Sequence, residues 1–187
     1  MVNRSENQLI ELKIAGRWRK IPIWASKLPF EVRPSPKFDH RAWKLWKPTL
    51  KLMAKVVKRE QIKINWVRIH SHFNLRGELP HAMGWFDPIE KSVFLCHFDG
   101  ETMLHELGHA KSSGYHGDPW ARATAKLYQK YLRGKEQKLA LDNLGQYLSG
   151  RRAYFKIFGE KPPKYQDQKS LWWHLKPNGK PAMRVIR

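Results

Sequence analysis

The sequence has one cysteine, Cys96, few acidic residues, and no long apolar run. A lone cysteine cannot close a disulfide within the chain or build a cysteine-rich zinc ribbon. A reducing, intracellular setting is the simpler expectation. No apolar stretch approaches the roughly 20 residues of a membrane span, and residues 1–14 lack an apolar core of signal-peptide length. The expectation is a soluble, cytoplasmic protein with no membrane partner. Acids number 16 against 36 Lys and Arg, a net charge of +20. An excess this large favours a polyanion, nucleic acid above all, as a partner. Hydrophobic residues make up 41% of the 187 positions. That excludes a disordered chain and suits one domain with a real core.

The charge is unevenly spread. Residues 1–83 carry 18 basic and 6 acidic side chains, and residues 120–187 carry 16 and 4. Between them, residues 84–119 carry 2 basic and 6 acidic ones. An acidic middle suits a bound cation, and basic flanks suit phosphates.

Local patterns outline the elements. Ile10, Leu12 and Ile14 alternate with Glu11 and Lys13, which predicts a strand, with a turn at Ala15-Gly16 and a return through Ile23. Pro29, Pro34 and Pro36 mark residues 29–38 as a linker. Residues 40–60 read as helical, with Pro48 in the first turn of a helix reaching Glu60 and a shorter helical piece before it. Leu50, Met53, Ala54 and Val57 give that helix a buried face. If the helix is continuous, Lys44, Lys47, Lys51, Lys55 and Lys58 form a basic stripe. Residues 61–98 read as a small antiparallel sheet. Ile62 and Ile64 alternate ahead of Trp66-Val67-Arg68-Ile69, and a polar stretch holds Gly77 and Pro80. A hairpin then runs from Met83 to Leu95 around Asp87-Pro88. Asp99 is placed to cap a helix over 101–112, and Gly114 to stop it. Helices are expected from Asp118-Pro119 to about 132 and over about 136–148. The chain divides on this reading into a strand pair and linker (1–39), a central domain (40–149) and a basic, aromatic extension (150–187), which Pro162, Pro163 and Pro177 interrupt.

The helix over 101–112 holds His105-Glu106-Leu107-Gly108-His109. Two histidines four apart share one helix face, with Cβ atoms roughly 5–6 Å apart, so both imidazoles can converge on one ion. Glu106 lies one residue round the helix. It is poorly placed as a ligand but well placed to take a proton from metal-bound water, whose pKa zinc lowers to roughly 7. A catalytic zinc has three protein ligands and one open position. His116, after Gly114 and before Gly117, is the preferred third ligand over Asp118 and Glu136. The expected site is therefore His105, His109 and His116 around Zn2+, with Glu106 as catalytic base and a peptide bond as substrate.

The segment from His105 through Ala110, followed by His116-Gly117-Asp118-Pro119-Trp120, resembles the SprT-like zinc metallopeptidases. These show a His-Glu-x-x-His helix, then a histidine often followed by glycine, with an aromatic residue early in the next helix. The likeness covers about residues 40–132 in layout and is specific over 104–120. It implies an α+β, minimal zincin-like domain, with a small antiparallel sheet packed on the motif helix and flanking helices. It also implies a three-histidine zinc site and a glutamate base. Some members cleave proteins on DNA, which suits the basic flanks. The spacer from His109 to His116 is shorter than in many members, and the cysteine-rich ribbon of many members is excluded. The metzincin pattern fits less well, because Ser112 stands where it needs glycine and Tyr115 where it needs the last histidine.

The remaining candidates have smaller expected roles. His70 and His72 alternate on a strand, and His81 and His97 are read as hydrogen-bonding residues. Tyr115 is read as a packing residue in preference to an oxyanion donor, and Cys96 as a small buried one. Trp43, Trp46, Arg151, Arg152, Tyr154, Phe155, Trp172 and Trp173 offer cations for phosphates and rings for stacking bases. The competing expectation is a nucleic-acid-binding protein whose zinc is structural or vestigial.

Overall fold

The computed structural model describes residues 8–36, 38–70, 84–112 and 115–163. The expectations for His72, Gly77, Pro80, His81, Met83, Gly114, Trp172, Trp173 and Pro177 lie outside the described residues. Two compact units emerge, Met1–Tyr115 and His116–Arg187, and the secondary structure is mixed α and β.

The first unit opens with the expected hairpin. Strands β1 (Leu9–Ile14) and β2 (Arg17–Pro22) pair antiparallel around Ala15-Gly16. A short helix α1 (Ile23–Ser26) leads to β3 (Glu31–Pro34), which lies within the expected linker. Two of the prolines that suggested a linker flank the strand, and Pro34 ends it. As β3 is an outer strand, a proline there forfeits little pairing.

After a 3-10 turn (His40–Ala42) comes α2 (Trp43–Glu60), unbroken through Pro48. The expected division ahead of Pro48 is absent. Proline inside a helix costs about 3 kcal/mol or more. Against that, Trp43, Trp46, Leu50, Met53 and Val57 bury one face of α2 to 7% exposure or less. Each such side chain contributes about 1.5–3 kcal/mol, so packing outweighs the proline. The Trp46 Nε1 group donates to the His70 carbonyl at 3.0 Å, and the Thr49 hydroxyl donates to the Phe98 carbonyl.

Strands β4 (Trp66–Ile69), β5 (Gly84–Asp87) and β6 (Ser92–Leu95) complete a sheet ordered β3-β4-β6-β5. Only β5 and β6 are antiparallel; β3 with β4, and β4 with β6, are parallel. The expected small antiparallel sheet is thus corrected to a mixed one. The reason is α2: parallel neighbours need a crossover of a dozen or more residues, usually a helix, and α2 supplies it between β3 and β4. Val32, Val67 and Val93 form one buried row across the sheet, and Ile69 beside Leu95 another. On the opposite face, Arg33, Arg68, Phe94 and Trp85 align across all four strands. Ile62 and Ile64, expected in a strand, are buried but precede β4. The β5–β6 turn is the expected one: the Asp87 carboxylate accepts from the Ile89 and Glu90 amides at 2.9 and 3.0 Å.

Helix α3 (Gly100–Ser112) closes the first unit. Asp99 caps it as expected, accepting from the Thr102 amide at 2.6 Å and the Thr102 hydroxyl at 3.0 Å.

The second unit holds α4 (Asp118–Tyr131), α5 (Gly134–Leu144) and α6 (Leu148–Phe158). The helix expected to reach 148 ends at Leu144, and the start of the expected extension is α6. The buried carboxylate of Asp142 joins α5 to α6. It accepts from the Tyr154 hydroxyl at 2.9 Å and from the Lys138 ammonium at 3.1 Å, so its charge is hydrogen-bonded rather than stranded. Among the described residues, no helix is long and apolar enough to cross a membrane.

Candidate metal centre

Helix α3 turns its two faces to different tasks. Thr102, Met103, Leu104, Glu106, Leu107 and Gly108 are buried, while His105 and His109 are half-buried. The two imidazoles stand one turn apart, with ring centroids 5.2 Å apart. His116 begins the second unit, ahead of α4, and is exposed. The ligand nitrogens of His105, His109 and His116 all lie within 4.8 Å of one another. Three histidine nitrogens are a donor set that zinc accepts. Among the described residues, neither Asp118 nor Glu136 belongs to a group of potential metal ligands. Asp118 instead pairs with Arg152 at 2.8 Å.

Glu106 is only 5% exposed. Burial pushes its carboxyl up to about 8. Desolvation disfavours the charged form, and a nearby cation acts the opposite way. The carboxyl sits in a low-dielectric pocket whose charge a bound dication would balance.

Strand β5 passes against this part of α3. A Cβ built on Gly84 would stand 2.9 Å from the Phe94 carbonyl oxygen, 3.1 Å from Thr102 Cγ2 and 3.2 Å from Glu106 Cγ. Only a residue without a side chain lets β5 lie this close. Gly84→Ala is therefore expected to destabilise the first unit by about 1–3 kcal/mol, the usual cost of overpacking. Urea denaturation of parent and variant measures it, and equal midpoints would rule out this close approach.

The His116 ring is held by its own unit. It lies 4.4 Å from the Trp120 ring, nearly edge-on at 78°, and 4.4 Å from the Tyr147 ring, tilted by 31°. Trp120 is fully buried. The Ser149 hydroxyl donates to the His116 carbonyl at 2.6 Å. Tyr147 and Ser149 were not found by sequence reasoning. They lie about 30 residues away, at the start of α6, and no local pattern ties them to His116.

Several other expectations change. Trp43 and Trp46 are 5% and 1% exposed, so they pack the core of α2 and offer no face to a base. Tyr154 is likewise buried, against Asp142. Phe155 is 56% exposed, and Arg151 and Arg152 are exposed. Tyr115 is 96% exposed, which overturns the packing role. His70 donates its amide to the Leu95 carbonyl at 3.1 Å and, like His97, belongs to no metal-ligating group among the described residues. Cys96 is buried as expected, and burial raises its thiol pKa. No protein-family model, curated protein or solved structure matches the chain.

Proposed function

We propose that this protein is a zinc-dependent metallopeptidase of minimal zincin-like architecture, acting on proteins at nucleic acid. The observation that carries the reading is local to α3. Two half-buried imidazoles stand one helical turn apart on one face, and a buried carboxylate stands one residue round from the first. His105, His109 and His116 would hold the ion as neutral imidazoles. Zinc bound there supplies Lewis acidity, which polarises a carbonyl and makes water acidic near neutral pH.

The remaining steps belong to the chain's own residues. Glu106 is the general base: it accepts the proton of the attacking water and returns it to the leaving amine. Its burial keeps bulk water from competing for that proton. Strand β5 is an outer strand of the sheet among the described residues, and it passes beside Glu106. An extended peptide laid along such an edge gains main-chain hydrogen bonds with little demand on its sequence. The +20 charge supports nucleic acid as the place of action.

Elemental analysis of the purified protein tests the metal set. The parent is expected to carry about one zinc per chain, and His116→Ala to fall well below that, since two imidazoles alone bind weakly. A variant that holds zinc as fully as the parent sinks His116 as a ligand. Casein digestion with and without added DNA tests the activity. Zinc at full stoichiometry with no cleavage in either arm leaves the metal structural.

A further inference from the structure

The outer surface of α2 carries a row of exposed lysines. We propose that Lys44, Lys51, Lys55 and Lys58 form a contact surface for the backbone of duplex nucleic acid. The proposal rests on the nucleic-acid part of the reading above, and not on the peptidase part.

All four lysines are exposed, and α2 runs unbroken beneath them. At about 100° per residue they fall within an arc of roughly 60°, and they span about 21 Å of helix axis. Lys47 flanks the stripe, half-buried, with its ammonium 5.8 Å from the Trp24 ring. The helix contains no acid before Glu60, and Glu60 is engaged by Lys111 on α3. Like charges three and four residues apart oppose helix formation. Here Lys55 and Lys58 stand three residues apart on a helix held by the apolar face opposite. A polyanion turns that repulsion into attraction.

The class of polyanion follows from what the stripe lacks. The rings of α2, Trp43 and Trp46, are buried beneath it and cannot stack on bases. Single-strand binders combine cations with exposed aromatic faces. A stripe of ammonium groups with no rings reads phosphates alone, and a duplex presents phosphates with its base faces hidden. One duplex strand sets a phosphate about every 3.4 Å of axis and turns about 35° with each, so about three or four face a 21 Å stripe.

The test is fluorescence anisotropy of a labelled 30-base-pair DNA duplex across a salt series, with a single strand of the same length alongside. Each phosphate contact contributes about 0.9 to the slope of log affinity against log salt. The variant K44Q/K51Q/K55Q/K58Q is expected to lose about 3–4 from that slope, and at least about tenfold in affinity at 50 mM salt. Glutamine keeps helix propensity close to that of lysine, and circular dichroism verifies the fold. A control, K13Q/K27Q/K63Q/K91Q, removes the same charge from exposed positions elsewhere in the first unit. It is expected to bind within about threefold of the parent. An equal loss in the control, or an unchanged slope in the stripe variant, overturns the surface. So does tighter binding of the single strand that the stripe variant retains. If the parent binds no duplex at all, the stripe and the nucleic-acid reading fall together, while zinc content and casein cleavage still decide the peptidase reading.

Discussion

Replacing Glu106 with glutamine is expected to reduce peptide hydrolysis by about 100- to 10,000-fold, the range contributed by a positioned general base, while zinc content stays at that of the parent. Glutamine matches glutamate in size and shape but cannot take up a proton at neutral pH. The variant therefore separates proton transfer from packing. Glu106 is outside the group of three histidines proposed to hold the ion, so its replacement leaves that donor set intact. It is 5% exposed, and burial already favours its uncharged form, so an uncharged amide in the same space should fold as well as the parent. Cleavage and zinc content are measured on one preparation. Parental cleavage removes Glu106 from the mechanism. Lost zinc means the carboxylate helps hold the metal, and the division of roles given above is wrong.

The second large effect is expected far along the chain, at Gly150. A Cβ there would stand 1.8 Å from the Leu144 carbonyl oxygen and 2.7 Å from its carbon. These are backbone atoms in the last turn of α5, so no side-chain rotation relieves the clash. The Leu144 carbonyl is also held in place, accepting from the Tyr147 amide at 3.2 Å. Gly150→Ala must push α6 away from α5. It is expected to cost about 3 kcal/mol or more, at the upper end of overpacking effects. Chemical denaturation reads the loss directly. The same turn carries Tyr147 and Ser149, which flank His116. The variant should therefore also lose zinc more readily to a chelator, at a denaturant-free temperature where it is still folded. A variant as stable as the parent would mean that α5 and α6 do not meet as described.

Trp43 and Trp46 looked suited to stacking because they sit among lysines in the sequence. Their spacing of three residues, continued to Leu50, Met53 and Val57, instead makes them the buried stripe of α2. The same helix period that hides the rings presents the lysines.

The motif helix, its Asp99 cap, the hairpin at Asp87, the turn at Ala15-Gly16 and the start of α4 at Asp118 were all legible from the sequence. Each is a short-range matter: a helix period, a capping carboxylate or a turn residue acts within four or five positions, whatever the rest of the chain does. Placing His105 and His109 on one face needed nothing but that period. The strand directions, the burial of Glu106, the close pass of β5 at Gly84 and the setting of His116 between Trp120 and Tyr147 needed the folded chain. Those features depend on which segments distant in sequence pack together. The packing is decided by the fit of whole faces, such as α2 against α3 or α6 against α5, and no local spacing encodes it.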